Sequence, residues 1–414
     1  MSTKLNIGLF GFGCVGGGLY EVLNQSKLID ATISKIVVKS KEKKRSIDTS
    51  NFSFDKNDIL ENDDINLVIE LINDSNEAYE IVKVALQKGK HVVTANKKLI
   101  AENLEELTFL AKQHNVSLLY EAAVAAAIPI IRNLEEYYNN DSLSSLEGIV
   151  NGTTNYILTQ SNLGITYQDA LKSAQELGFV ELNPTMDVDG FDSKFKLVIL
   201  LKHAFGLNVE PKKIPNFGIK NIKPQDALYA KEKGYKIKLI SRAERIDTTV
   251  IGFVAPHFIP QSHSLYQVDQ EFNGIIVEGA FADKQLFYGK GAGSYPTASA
   301  VLSDISALKY EYKYEYKKSQ ESNSLLFKDD FYVKIYLGSK YLELINEIPF
   351  LRIDEVFQSK DYCYQTGWVH FKELKNFDFN TIADLSLIIL PEAPLLRSKL
   401  NQLKFEGFEV AVEL

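Results

Sequence analysis

The run Lys4–Phe10 (KLNIGLF) passes directly into Gly11-Phe12-Gly13-Cys14-Val15-Gly16, and this junction restricts the fold more than any other stretch. A short, nearly continuous apolar run reads as a central parallel strand buried on both faces. The glycines have separate tasks. Gly11 makes the turn, Gly13 lets a pyrophosphate lie against the backbone, and Gly16 lets the helix expected over Val15–Asn24 pack on the strand. The N-terminus of that helix then faces the phosphates. A second strand over Ile33–Val38 completes the required context, so residues 11–16 are expected to bind a dinucleotide. Where an acid that reads the ribose 2′-hydroxyl would stand, the chain has Lys39, followed by Lys41, Lys43, Lys44 and Arg45, while Asp30 precedes the strand. These residues read either as an exposed basic turn or as a 2′-phosphate site, and the second reading favours NADP(H) over NAD(H).

Further βα units follow: a strand over Asn66–Ile72, a helix over Asn76–Lys88, and a strand His91–Val93 that ends at Thr94-Ala95-Asn96-Lys97. Alternation of this kind predicts a doubly wound parallel sheet, in which ligands sit at the carboxyl ends of strands. Thr94, Ala95, Asn96 and Lys97 are therefore candidates for the cofactor edge. With 414 residues, 45% hydrophobic and 24% charged, the chain can bury large cores in two or three domains. A net charge of −8 argues against a nucleic-acid partner. Apolar runs such as Val124–Ile131 are too short to span a membrane, and the opening MSTKLNIGLF lacks the layout of a signal peptide. With only Cys14 and Cys363, neither a disulfide framework nor metal-ligand spacing is expected, in keeping with a cytoplasmic address.

Three later segments carry chemistry. Gly148–Leu158 (GIVNGTTNYIL) places small and hydroxylated residues where a loop opens a helix, and amides such as those of Gly152 and Thr153 can grip a carboxylate there. Downstream, Glu181, Asp187, Asp192 and Lys196 fall within one acidic loop and the helix after it. Asp192 and Lys196 are four apart, so they project from one helix face. Alone they read as a surface ion pair. In the company of Glu181 and Asp187 they make a receptor for an amino-acid zwitterion. The third segment, Gly289–Asp304 (GKGAGSYPTASAVLSD), has three glycines in five positions, among them Gly291, and Pro296 opens a helix expected over Thr297–Leu308.

Taken in order, GFGCVG, VIELI, GKHVVTANK, GIVNGTTNYIL, the E-x-x-P-x-x-D-V-x-G-x-D-x-x-x-K loop and GKGAGSYPTASAVLSD resemble the homoserine dehydrogenase family over about Leu5 to Leu308. The resemblance implies reversible reduction of L-aspartate 4-semialdehyde to L-homoserine with a nicotinamide cofactor, on the route to threonine and methionine. Lys196 and Lys97 match the two catalytic lysines, with Asp192 beside them. A free lysine has a pKa near ~10.4, so proton transfer requires partial burial or a neighbouring cation. Glu181, Asp192 and the supporting Asp187 match residues that hold the substrate's amino end, while the amides of Gly152 and Thr153 meet its carboxylate. Glu121, Val124, Ala126 and Ile128 resemble the family segment in which a carboxylate and alternate carbonyls bind Na⁺ or K⁺. Departures stand out: alanines at 125–127 replace small glycines, Asn183 replaces an aspartate and Phe179 a tyrosine. Alanine still exposes its carbonyl provided φ stays negative.

The fold so implied is α/β. It comprises an N-terminal doubly wound Rossmann dinucleotide-binding domain (1–130, completed by helix 295–308), an α+β substrate-binding and dimerisation domain (131–294), and a small C-terminal α+β, degenerate ACT-like module (319–414). The GKGAG segment becomes the return crossing that places Gly291 beside the nicotinamide. A homodimer or higher homo-oligomer with a small amino-acid substrate is expected. Beyond Leu308, Lys309–Lys318 (KYEYKYEYKK) alternates so that all four tyrosines share one face of an expected strand, and Ser319–Ser324 reads as a linker. A strand over Phe331–Leu337, a helix over Leu395–Phe405 stopped by Gly407, and a last strand Phe408–Leu414 are expected after it. The Asp-Lys-Pro-Gly turn that opens ACT domains is absent after Leu337, so threonine feedback is not carried over. A thioester-forming dehydrogenase would need a mid-chain nucleophilic cysteine, which is absent. The remaining alternative, a catalytically silent NADP(H)-binding sensor, is opposed by the presence of Lys97, Asp192 and Lys196.

Overall fold

A computed structural model describes residues 4–26, 29–42, 47, 48, 50–180, 182–321 and 325–396. The chain forms two compact units, each discontinuous in sequence: 1–140, 198–211 and 289–321 make the first, and 141–197, 212–288 and 322–414 the second.

In the first unit, β1 (Leu5–Phe10), β2 (Ala31–Val37), β3 (Phe52–Ser53), β4 (Leu67–Glu70), β5 (His91–Thr94) and β6 (Leu118–Leu119) form a parallel sheet in the order β3-β2-β1-β4-β5-β6. The order reverses at β1, which is the topological switch point of a doubly wound sheet. Leu67, Val68, Ile69, Val92 and Val93 have no exposure, as expected of strands covered by helices on both faces. Helices Cys14–Gln25, Ser75–Gln87 and Lys97–Gln113 alternate with the strands. Asp74 and Asn96 cap the second and third of these with side-chain oxygens on early amides. Helix Ser294–Leu308 also belongs to this unit and packs along helix Cys14–Gln25, where a Cβ on Gly18 would lie 2.4 Å from Ser294 Oγ. This helix starts at Ser294 rather than Thr297, so Pro296 occupies its third position, where its missing N–H still falls among the unbonded first-turn amides.

The second unit is built on a larger sheet. Its main path is β11 (Asp283–Lys290), β10 (Phe272–Gly279), β7 (Leu143–Ile149), β8 (Tyr235–Ile246), β9 (Thr249–Pro260), β16 (Leu385–Ile389), β13 (Phe331–Ser339), β15 (Cys363–His370) and β14 (Phe350–Gln358), with the short β12 (Leu326–Phe327) paired to β9 off this path. Strands β13 to β16, with helices Leu342–Asn346 and Phe371–Lys375, have the βαββαβ order and the 4-1-3-2 neighbour order of a ferredoxin-like module. The module continues the sheet instead of forming a separate core: β16 pairs with β9, and Phe253 of β9 lies 4.9 Å from the Phe371 ring, itself stacked 4.4 Å from Phe331.

Three local expectations are corrected. Residues 310–316 form no strand: Glu311 and Tyr316 have positive φ, and Tyr312, Tyr314 and Tyr316 turn inward while Tyr310 is 84% exposed. Ser319 lies in the helix Lys317–Glu321, not in a linker. Leu395–Leu396 is a short strand (β17) on β13, not a helix start. The rest of the expected C-terminal helix and strand, from residue 397 on, lies outside the described residues. No helix among those described is long and apolar enough to cross a membrane.

Ala126 has φ 45° and ψ −110°, so the condition of negative φ set for an alanine here is not met at this position. This region favours glycine, and holding a Cβ there costs about 1–3 kcal/mol. Ala126→Gly is therefore expected to raise stability by about 1 kcal/mol in denaturant unfolding, net of the greater entropy of glycine in the unfolded chain; a loss of stability would show that the methyl group's packing outweighs the strain.

Candidate active site

The phosphate turn fits a dinucleotide by its free space. Gly11 has φ +92°, and a Cβ there would lie 2.6 Å from Leu71 O; a Cβ on Gly16 would lie 2.3 Å from Gly11 O. Those two glycines are required by the protein's own packing. Gly13 has nothing within 4 Å of a built Cβ, so its missing side chain leaves room for something else. Helix Cys14–Gln25 has no side-chain cap at its N-terminus, so its first amides are available to an anion, as the pyrophosphate reading requires. Phe12 packs edge-on against Tyr20 and Phe52, and Lys39 is exposed at the end of β2. Lys43, Lys44 and Arg45 lie outside the described residues.

The carboxyl ends of β4 and β5 are joined by a residue that the motifs did not single out. Glu70, with no exposure, accepts Ile72 N at 2.7 Å and Thr94 Oγ1 at 2.5 Å. Thr94 Oγ1 accepts Asn96 N at 3.0 Å, and Asn96 Nδ2 donates to Ile72 O at 3.2 Å. This chain of bonds fixes Thr94–Asn96 and the start of the helix that Lys97 opens. Burial pushes the Glu70 carboxyl up to about 7, against its bonds to Thr94 and Ile72. The signal in the sequence was one acid inside the apolar strand NLVIELI.

In the same unit Glu121 is 2% exposed, and its two carboxylate oxygens accept Ile131 N and Arg132 N, each at 2.8 Å. It thereby caps the helix Ile130–Glu135. Its own amide donates to Asp304 Oδ2 at 2.9 Å, and Asp304 Oδ1 pairs with the Arg132 guanidinium at 2.9 Å. Burial, then the neighbouring Asp304, push the Glu121 carboxyl up to about 8. Val124 and Ala126 lie in and just after the short helix Ala122–Ala125, while Ile128 O accepts Ile130 N at 2.8 Å. Gly291 follows β11 and is buried.

The second unit gathers most of the remaining candidates. Lys196 Nζ lies 2.8 Å from Asp192 Oδ2 and donates to Val150 O at 2.6 Å. Asp192 and Lys196 are 5% and 8% exposed, so this i,i+4 pair is not a surface bridge. Asn151 joins them: its Nδ2 donates to Asp192 Oδ2 at 2.9 Å and to Asp187 Oδ1 at 2.7 Å. Its Oδ1 accepts Thr154 N at 2.8 Å and caps helix Gly152–Asn162. One amide thus sets the spacing of two carboxylates and the start of the helix that presents Gly152 and Thr153. Asn151 carries no chemical role in the motif GIVNGTTNYIL as a sequence; its signal is an asparagine three residues before Thr154 at the start of a helix. Gly152 is obligatory, since a Cβ would lie 2.5 Å from Glu271 O. Two carboxylates against one ammonium leave this cluster one negative charge, which suits a substrate ammonium. Glu181 lies outside the described residues.

The first unit has the geometry of the dinucleotide-binding domain of an oxidoreductase, and comparison with known proteins names the group. A family model described as homoserine dehydrogenase matches residues 129–306, and one described as its NAD-binding domain matches residues 11–121. The chain is 35% identical to homoserine dehydrogenase of Bacillus subtilis (strain 168), over 87% of this chain and 86% of that one. It is 39% identical to the Helicobacter pylori enzyme over 74% of each. The crystal structure of a Thiobacillus denitrificans homoserine dehydrogenase matches with a TM-score of 0.83 and 30% identity, covering 94% of this chain and 99% of that one. A hyperthermophilic archaeal homoserine dehydrogenase in complex with NADPH matches with a TM-score of 0.66 and 26% identity, covering 75% and 99%. The chain belongs to the homoserine dehydrogenase family. It is an oxidoreductase, and the silent-sensor alternative is not favoured.

The two kinds of glycine in the phosphate turn separate experimentally. Gly13→Ala is expected to leave the unfolding free energy within about 0.5 kcal/mol of wild type while weakening NADPH binding, measured by fluorescence titration, by about tenfold or more. Gly16→Ala is expected to lower stability itself, because its methyl group meets a backbone carbonyl. Equal affinity in wild type and Gly13→Ala would remove Gly13 from the pyrophosphate site.

Proposed function

We propose that the chain interconverts L-homoserine and L-aspartate 4-semialdehyde, with NADP(H) preferred over NAD(H). The observation that carries this reading is the cluster of buried Lys196, Asp192 and Asn151 with half-buried Asp187 beside the N-termini of two helices. When bound, the nicotinamide supplies the hydride in reduction and accepts it in oxidation. Residues 11–16, Thr94–Lys97, Lys39 and Gly291 would hold the cofactor, supported by the uncapped helix and the open space at Gly13. Lys196 gives the proton to the substrate oxygen in reduction and takes it back in oxidation, with Lys97 as the second catalytic lysine. Asp192 fixes the Lys196 ammonium and, with Asp187 and Glu181, receives the substrate's amino group. The amides of Gly152 and Thr153 receive its carboxylate.

Around this core we place the wider reading: a cytoplasmic, homodimeric enzyme on the route to threonine and methionine. It has a dinucleotide-binding domain (1–130, completed by 295–308), a substrate and dimerisation domain (131–294) and an ACT-like module (319–414). The βαββαβ order supports the last assignment. A monovalent cation on Glu121, Val124, Ala126 and Ile128 is supported by the buried carboxylate, which a bound Na⁺ or K⁺ would hold in its charged form.

Lys196→Ala is expected to lower kcat for homoserine-dependent NADP⁺ reduction by about 10²–10⁴ with little change in KM; near wild-type turnover at saturating substrate would remove the proton-transfer role. For Glu121 the sign runs as for any acid whose folded pKa is raised. Its contribution to stability is full below the ordinary value of 4.5 and is lost as pH rises through about 8. In tetramethylammonium buffer, wild-type stability is expected to fall relative to Glu121→Gln across that window, by a few kcal/mol at most. Added K⁺ or Na⁺ restores wild type selectively at the alkaline end; equal effects on both proteins would argue against the cation site.

A further inference from the structure

The first unit carries a groove of about 1480 Å³ that the dehydrogenase reading does not use. One wall is the C-terminal half of helix Lys97–Gln113, which presents Glu105, Phe109 and Lys112; the other is the tyrosine-rich segment 310–317. That segment is tied down. Tyr316 OH meets Tyr120 OH at 2.9 Å, Glu135 Oε2 accepts Tyr316 N at 3.0 Å, and Ser117 Oγ donates to Tyr312 O at 2.8 Å. The groove is therefore held by specific bonds to the unit's core.

Lys202, on the last turns of helix Phe191–Phe205, lines this groove and is 9% exposed. Its Nζ lies 5.4 Å from the Tyr316 ring centre, and among the described residues no carboxylate or carbonyl comes within hydrogen-bonding distance of it. The nearby acids are engaged elsewhere: Glu105 with Asn208, and Glu135 with His203 Nδ1 at 2.6 Å and with the Tyr316 amide. Burial lowers the Lys202 pKa against the attraction of those two acids. The contrast with other buried lysines is direct. Lys196 and Lys238 each have a carboxylate at 2.8 Å. The Lys202 ammonium borders the groove and is only partly shielded from water, so an anion entering the groove would meet a cation with no carboxylate already bonded to it. At the rim, Phe109 is 65% and Tyr310 84% exposed, so apolar rings flank the approach to the charge.

We propose that this groove binds a small organic monocarboxylate with a nonpolar body, its carboxylate on Lys202 and its body against Phe109 and the tyrosine wall. An inorganic anion would satisfy the lysine and leave the rings bare. A polyanion would meet Glu105, Glu136, Glu311 and Glu315, which line the same groove.

The probe is 4-bromobenzoate, with neutral 4-bromobenzamide as control, titrated calorimetrically into the full-length protein at saturating L-homoserine so that the substrate's carboxylate site is filled. Saturable binding of the benzoate and not of the benzamide is expected, weakened about tenfold or more in Lys202→Gln. The rim variant Phe109→Ser, at an exposed position, is expected to weaken it several-fold with unchanged circular dichroism, and serves alone if Lys202→Gln fails to fold. In soaked crystals the bromine anomalous peak falls between residues 109 and 312. Absence of saturable binding, equal binding of the benzamide, or affinity unchanged in the folded variants would overturn the site.

Discussion

The ammonium of Lys196 is out of water, and much of the second unit's arrangement follows from that. Desolvating such a group costs several kcal/mol, so it needs an anion and further acceptors in place. Asp192 and the Val150 carbonyl supply them, which sets the first turn of helix Phe191–Phe205 against the end of β7. A second buried lysine acts a few residues further along. Lys238 has no exposure and donates to Asn155 Oδ1, Val268 O and Asp269 Oδ1, while burial lowers its pKa to about 8. Asn155 in turn donates to Val268 O and Phe272 O. The segment 150–155 is thus clamped by one buried lysine at each end. Its helix N-terminus is held by charges that cannot leave without exposing an unpaired partner.

Steric contact does the corresponding work in the first unit. Gly11, Gly16 and Gly18 each sit where a Cβ would come within 2.6 Å of another atom, namely Leu71 O, Gly11 O and Ser294 Oγ, so the phosphate turn lies close against Leu71, helix Cys14–Gln25 against the turn, and helix Ser294–Leu308 against helix Cys14–Gln25. Ser294 Oγ then donates to Cys14 O at 2.7 Å. At the far end of the same helix, Asp304 joins Arg132 and the Glu121 amide. One helix therefore meets both the phosphate turn and the Glu121 cap, which explains why the GKGAGSYPTASAV stretch is so dense in small residues.

What could be read in the sequence follows from how local each cause is. Buried parallel strands give apolar runs, and close packing gives glycines at fixed spacing, so β1, β2, β4, β5 and their helices were legible to within about two residues. Asp192 and Lys196 were legible as a pair but not as buried, because burial depends on β7 and on Val150, 46 residues earlier in the chain. Glu70 and Asn151 act through partners whose positions only the fold reveals. The tyrosine run failed for another reason. Alternation describes which side chains turn inward, but a strand also needs a neighbouring backbone, and here Glu135 and Ser117 side chains take that place. The C-terminal α+β module was legible as a module, but its continuation of the larger sheet was not, because its core is shared with β9 and that sharing depends on a strand much earlier in the chain.

Asn183 and Phe179 depart from the family pattern close in sequence to Asp187, Asp192 and Lys196. Asn183 Oδ1 accepts Thr185 N at 3.2 Å and Thr185 Oγ1 at 2.7 Å, which is the turn-forming task an aspartate would perform there, without its charge. Phe179 loses a hydroxyl, yet its ring packs edge-on against Tyr156 at 5.2 Å and its carbonyl accepts Thr153 Oγ1 at 2.7 Å. Among the described residues of this stretch, Asn183 and Phe179 thus keep turn-forming and packing contacts while carrying no charge and no hydroxyl. The negative charge beside Lys196 then rests on Asp187 and Asp192. Their spacing is set by the Asn151 amide, and that amide cannot be replaced by an acid without placing three carboxylates around one lysine.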